Sequence, residues 1–309
     1  MALVTLAAAK GAPGVTTTAL VMGALWPRPV LVAECDAAGA DIPLRMSAAD
    51  GGVLDPDRGL LSLAAAGRKG LDPQLVLNHT QHVIGGTEVL AGVRMPEQAA
   101  GMTNIWPMLG PALDGVPGYD VLADAGRIGA TTPQSALLRS SRLVILVCTT
   151  EPSAVVHTRQ RLNTLAPLLD PASPVGTPIA VVVIAEPKSR DAVAEVRETF
   201  KRTEVPLLGT WHLAYDPKGA GFFKGRLVGR ADKTLLVRTA RGVTHEVASI
   251  VEPFFLPHEQ TGGSHQEGPG EWDDFTFAAP QSPLVPDPQQ NGQTSAWVGQ
   301  PTPPPGSSQ

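Results

Sequence analysis

Short, mostly uninterrupted apolar runs recur along the chain at residues 3–7, 30–33, 87–90, 121–123, 143–149 and 179–184, with a weaker one at 207–208. A strand with one wet face alternates apolar and polar residues. A strand covered on both faces does not need to, and continuous runs of this length are what a buried parallel sheet requires. Between the runs lie stretches with helical spacing of apolar residues, at 16–26, 134–140, 153–165, 190–202 and 232–251. Strand and helix in alternation predict an α/β fold, a doubly wound and mostly parallel sheet with helices on both faces. No internal repeat of solenoid length is present.

The 43% hydrophobic content is enough for a packed core in a chain of 309 residues. No run is long enough to span a bilayer. The opening MALVTLAAAK is apolar but has no basic stretch before it, and a glycine-rich turn follows at once, so it reads as a buried strand and not a signal peptide. Cys35 and Cys148 both lie in or beside apolar runs, which fits two buried thiols in a reducing, cytoplasmic compartment and gives no disulfide framework or zinc site.

The formal net charge of −5 is unevenly spread. Residues 257–309 hold six acids and no Lys or Arg, which leaves 23 acids against 24 bases in the rest. That segment is rich in Pro, Gly, Gln and Ser and ends in PTPPPGSSQ, a composition that buries too little apolar surface to offset its ordering entropy. Two regions are therefore expected: a folded domain over 1–256 and a disordered acidic tail over 257–309. Within the tail, Trp272, Phe275 and Phe277 stand among acids in EWDDFTFAAP, with Trp297 further on. They read either as a docking motif for a protein partner or as incidental aromatics in a solubilising tail.

The most informative segment is LVTLAAAKGAPGVTTTALVMGAL. An apolar strand enters a loop of small residues and a helix then opens on three threonines, an arrangement in which backbone N–H groups and a helix N-terminus cradle phosphate. Gly11 and Gly14 let the backbone approach an anion closely, and Thr16 or Thr17 supplies hydroxyls for phosphate oxygens or Mg²⁺. Measured against the pattern G-x-x-x-x-G-K-[ST], Ala9 stands at the first glycine, Gly14 is kept, Val15 stands at the lysine and Thr16 is kept. A strand–turn–helix corner without a ligand remains the alternative for this segment alone.

The loop resembles the deviant KGGxGKT motif of the ParA/MinD family of P-loop ATPases. Lys10, Gly11, Gly14, Thr16 and Thr17 match it, Ala12 replaces a glycine and Val15 replaces the second lysine. VLVAECDAAGADI is similar to the family's VLLIDxDxxG element, with Glu34 in place of its first acid, Asp36 on the second and Gly39 on the glycine. GYDVLADAGRIG resembles the Walker B strand ending in Asp124. LLRSSRLVILVCTTEPSAVVHTRQRL and VPLLGTWHLAYDPKGAGFFKG resemble the later strand–helix element and the loop bordering the base pocket. The blocks fall in the family's order over roughly residues 1–255.

The resemblance implies a P-loop NTPase fold, ATP and Mg²⁺ as cofactors, and a nucleotide-gated homodimer that positions or partitions a cargo. It implies that residues 10–17 (Lys10, Gly11, Ala12, Pro13, Gly14, Val15, Thr16, Thr17) hold nucleotide, that Lys10 and Asp36 act in catalysis, and that Thr16 and Asp124 hold the metal. In the family the second lysine neutralises phosphate in its own subunit while the early one reaches across the dimer. Val15 carries no charge, and losing a cation aimed at transition-state charge costs orders of magnitude in rate. Three readings stay open. Lys10 takes over the charge role, or nucleotide is bound but hydrolysed very slowly, or the chain is a pseudo-ATPase adaptor that localises a larger assembly such as a secretion or pilus machine. Where the family carries an asparagine before the base site, this chain has Ala185 and Glu186 in VVVIAEPK.

Lys224, Arg226, Arg230, Lys233, Arg238 and Arg241 face one acid, Asp232, over that stretch. They form either a patch for sequence-independent DNA binding or a solvated helical face. The chain ends in acids and prolines where MinD-type proteins carry a basic amphipathic helix, so no direct membrane anchor of that kind is expected. His79 and His82 lie three apart without a further ligand nearby, Ser62 and Ser135 sit in no G-x-S-x-G context, and Trp106 reads as a core or interface anchor.

Overall fold

The computed structural model describes residues 1–11, 14–129, 131–227 and 229–252, and the backbone of 276–277. The rest of the segment expected to be a disordered tail, with its Trp272, Phe275 and Trp297, lies outside the described residues. In chain order, β1 (Leu3–Ala8) leads into α1 (Val15–Ala24), and β2 (Val30–Glu34) into the short α2 (Ile42–Arg45). There follow α3 (Leu60–Ala66), α4 (Pro73–Val76), β3 (Gln81–His82), β4 (Glu88–Leu90), α5 (Pro96–Gly101) and α6 (Trp106–Asp114). Then β5 (Asp120–Arg127) precedes α7 (Ser135–Leu138), β6 (Leu143–Thr149) precedes α8 (Pro152–Leu169), and β7 (Ile179–Ala185) precedes α9 (Arg190–Lys201). Last come β8 (Leu207–Ala214), α10 (Pro217–Phe222), β9 (Gly229–Arg230), α11 (Leu235–Ile250) and β10 (Thr276–Phe277).

Eight strands form one sheet in the order β3-β4-β2-β5-β1-β6-β7-β8. All neighbours run parallel except β3, which is antiparallel to β4. β1 is central, with Leu3–Leu6 in register with Val121–Asp124 on one side and Val4–Ala7 with Leu143–Leu146 on the other. Every residue of β1 and β2 is buried, as the continuous apolar runs require. Successive side chains still go to opposite faces: in β6, Leu143, Ile145 and Val147 pack with α1 and α11, while Val144, Leu146 and Cys148 pack with α8 and α9. A third cluster fills the α3–α6 side, around Trp106, which is buried and donates its indole N–H to the Ala99 carbonyl at 3.0 Å. Both cysteines are free and buried.

α1 has nine of its ten residues buried because it lies between the sheet and α11. α9 is half-wet and buries one stripe, Val193, Val196 and Phe200. α11 starts on an N-cap, the Thr234 hydroxyl accepting from Val237 N, and so begins three residues later than its apolar pattern suggests.

Three expectations change. The weak run at 207–208 is the start of an eight-residue strand whose later half is Thr210–Ala214; as the sheet's edge it mixes buried and half-buried positions and never shows a continuous run. The helical spacing at 134–140 yields only a four-residue helix. α6 was hidden because Pro107, Gly110 and Pro111 punctuate it, yet its apolar face seats Trp106, Leu109 and Leu113 in the core. Within the acidic tail, the backbone of Thr276–Phe277 pairs antiparallel with Gly229–Arg230.

Candidate functional site

In a parallel sheet, ligands bind beyond the carboxyl ends of the strands where neighbouring crossovers diverge. Here that point is the end of β1, between β5 and β6. The chain turns there through Gly11 (φ 71°) and Gly14 (φ 75°), both in the left-handed region that favours glycine, and enters α1. Ala12 and Pro13 of the expected loop lie outside the described residues. Thr18 donates back to the Gly14 carbonyl at 2.9 Å, which holds the first turn of α1 in place.

Two polar atoms at this corner are buried without a partner: Thr17 Oγ1 and Asp124 Oδ2. Asp124, in the middle of β5, is fully buried; its Oδ1 accepts from Gly126 N at 2.9 Å. Burial pushes its pKa up to about 6; the nearby Thr16 hydroxyl, outside hydrogen-bond geometry, and the Gly126 N–H pull the other way. A buried carboxylate oxygen and a buried hydroxyl left unmatched are costly unless something polar completes them. Hard oxygen donors of this kind, with the N–H groups of a helix start beside them, fit Mg²⁺ and phosphate.

Asp36, on the loop after β2, accepts from Ala38 N at 2.8 Å and lies against Gly126. A Cβ at Gly126 would fall inside contact distance of the Asp36 carboxylate, and its φ is 55°. Burial raises the Asp36 pKa above the usual carboxylate value, partly offset by the Ala38 N–H. Thr16, Thr17, Asp36 and Asp124 are thus brought to one corner.

Two expected residues stand differently. Val15 is 1% exposed and packs in the core beside α11, so any contact it makes to a ligand passes through its backbone alone. Lys10 is exposed, with its Nζ 3.2 Å from His157 Nε2 on α8.

Glu34 stands where the resemblance has a first aspartate, and its task shows only in the folded chain. It is 1% exposed; one carboxylate oxygen accepts from Asp41 N at 2.5 Å and Ile42 N at 2.8 Å, and the other accepts from Gly92 N at 3.2 Å. It ties the far end of the Asp36 loop, at Asp41 and Ile42, and the loop after β4, at Gly92, to the end of β2. Burial drives its pKa up to about 7, with the three N–H bonds opposing and the Asp124 charge reinforcing.

A cavity of about 290 Å³ opens beside α1, lined by Gly14, Thr17 and Thr18 together with Ile184 and Tyr215. Asp216 borders it but is committed to the fold: it accepts from Gly219 N, Leu235 N and Leu236 N at 3.0, 2.8 and 3.2 Å and so ties the starts of α10 and α11 together. Burial alone would raise its pKa, and those N–H bonds outweigh it and hold it low. The Ala185 carbonyl, at the family's asparagine position, accepts from Tyr215 N at 2.7 Å.

The six bases have different surroundings. Lys224 and Arg226 line the cavity, Arg230 pairs with Asp232, and Lys233, Arg238 and Arg241 stand exposed at and on the first half of α11. His79 accepts from or donates to Ser62 Oγ at 2.8 Å, and Ser62 also bonds Gly59, so this pair caps α3. Among the described residues no group of three potential metal ligands occurs, and no helix is long and apolar enough to cross a membrane.

A mostly parallel sheet whose central strand β1 turns through glycines into α1, with the acid Asp124 within the adjacent β5, is a doubly wound α/β arrangement. Among solved structures it is the fold of the ParA/MinD ATPases. The cell division ATPase MinD of Pyrococcus furiosus matches at a TM-score of 0.60 and 20% identity, over 81% of this chain and 99% of that one. The ParA family ATPase of Chlorobium tepidum TLS matches at 0.58 and 14%, over 80% and 98%. Cobyrinic acid a,c-diamide synthase of Mycobacterium smegmatis, solved with a bound ATP analogue and magnesium, matches at 0.57 and 19%, over 83% and 100%. Identities this low speak for the fold alone. No protein-family profile matches the chain, and no curated protein does.

Proposed function

We propose that this chain is a ParA/MinD-like nucleotide-binding switch that works as a homodimer, positions or partitions a cargo, and hydrolyses ATP weakly or not at all. The observation that carries the reading is the pair of buried, unpartnered oxygens, Thr17 Oγ1 and Asp124 Oδ2, at the mouth of a glycine turn. Thr16 and Asp124 would hold Mg²⁺, whose charge would offset that of the phosphates. The N–H groups of Gly11 and of Gly14 to Thr17 would orient the phosphates. Asp36, seated against Gly126, would orient water beside them, and Glu34 keeps the Asp36 loop in place.

A second reading, a non-catalytic adaptor that localises a larger assembly, is favoured by Val15. A side chain packed in the core leaves that position no way to deliver a cation.

Calorimetric titration with ATP and Mg²⁺, followed by turnover and sedimentation velocity under the same conditions, separates the two. Binding that drives dimerisation, with slow or no hydrolysis, supports the switch, and dimerisation that does not respond to nucleotide supports the adaptor. Absence of binding rejects a nucleotide role. Lys10→Ala is expected to abolish any nucleotide-dependent dimerisation in sedimentation velocity; unaltered dimerisation would remove Lys10 from the mechanism.

A further inference from the structure

We propose that Lys224 and Arg226 are the anion-recognition residues of this site, supplying from the C-terminal side the positive charge that Val15 cannot, and that they select a polyphosphorylated nucleotide over an uncharged nucleoside. This rests on the nucleotide reading above and adds the source of the charge.

The need for such a source follows from charge. A nucleoside triphosphate carries about four negative charges near neutrality and a divalent metal leaves about two, which cations close by must offset in a partly desolvated cavity. The loop offers only Lys10, whose ammonium sits on His157. Val15 is inside the core.

Lys224 and Arg226 line the same cavity as Gly14 and Thr17. Among the described residues neither has a carboxylate within ion-pair reach, and the acid bordering the cavity, Asp216, is taken up by three backbone N–H groups. Thr17, a buried residue, contributes a hydroxyl that has no partner, so the cavity wall contains a buried polar atom in need of a ligand as well as free cations.

The two cations are carried on a fixed turn. Arg226 N and Leu227 N both donate to the Gly221 carbonyl, at 2.9 and 3.2 Å. Gly225, at φ 63°, packs so closely on the Arg45 carbonyl that a Cβ there would collide with it. The turn is therefore seated against α2, at the far end of the loop that bears Asp36. An anion gathered by Lys224 and Arg226 would be held in the cavity between the start of α1 and α10. Arg226 can bind phosphate with two parallel N–H groups, and Lys224 acts as a point charge.

The test is calorimetric titration of the full chain and of Lys224→Ala/Arg226→Ala with Mg²⁺–ATP and with adenosine. Both replaced side chains have exposed heads, and unchanged circular dichroism and melting of the double variant control for folding. The expected result is a loss of at least about tenfold in Mg²⁺–ATP affinity, with adenosine affinity within about twofold of wild type. Restoration by the charge-preserving Lys224→Arg/Arg226→Lys pair would agree with it. Unchanged Mg²⁺–ATP affinity, or equal losses for ATP and adenosine, would overturn it. Should wild type bind no nucleotide, inorganic tripolyphosphate decides: binding that the double variant loses keeps the anion site while the nucleotide reading falls, and no binding rejects both.

Discussion

Glu34→Gln tests how the Asp36 loop is fastened. Glu34 is buried, accepts three backbone N–H bonds from Asp41, Ile42 and Gly92, and has a pKa pushed from 4.5 to about 7 by burial. A carboxyl that rises on folding favours the native state while it is protonated. Its contribution is complete below pH 4.5 and is lost as pH climbs through about 7. A change from 4.5 to about 7 is worth about 3 kcal/mol. Glutamine keeps one carbonyl oxygen for Asp41 N and Ile42 N but turns an amine toward Gly92 N, a mismatch of about 1–2 kcal/mol at every pH. The stability difference, variant minus wild type, should therefore rise by about 3 kcal/mol in the variant's favour between pH 4.5 and pH 8. Urea unfolding without added metal, followed by fluorescence of the buried Trp26 and Trp106, measures it at a series of pH values. A difference curve that stays flat, or tilts the other way, would refute the assignment of that titration to Glu34.

Gly126→Ala should lower stability by about 1–3 kcal/mol, since the residue is left-handed and its new methyl meets Asp36; a denaturation midpoint equal to wild type would mean that the two do not touch. Asp216→Ala strips the acceptor from three N–H groups at the starts of α10 and α11 and should cost about 1–3 kcal/mol, read as a lower melting temperature; an unmoved transition would contradict its capping role. If the chain binds DNA without sequence preference, retention on duplex DNA should fall steeply with salt and should weaken on replacing Lys233, Arg238 and Arg241. Replacing Arg230, already paired with Asp232, should matter less, and an equal effect from Arg230 would speak against this division of the cluster.

Much of the architecture could be read directly from the residues. Strands buried on both faces must be apolar without a break, so β1, β2, β6 and β7 were visible as runs, and the small-residue loop between β1 and α1 marked where an anion would sit. Elements that answer to a neighbour more than to their own periodicity were seen in part or not at all: β8 showed only its first two residues because its edge position dilutes its pattern, and α6, whose helix survives two prolines because its face fills the core, did not show. For the site, sequence pattern pointed to Asp36 and Asp124 but not to the contact of Asp36 with Gly126, to the clamp made by Glu34, or to the burial of Val15. Lys224 and Arg226 read as part of a basic surface run until folding brought them to the cavity beside Gly14, some 210 residues earlier in the chain. Local composition fixes which segments become strands and where the backbone can turn. Which strand lies beside which, and so which distant side chains share a cavity, is decided by non-local packing that no single stretch of the chain contains.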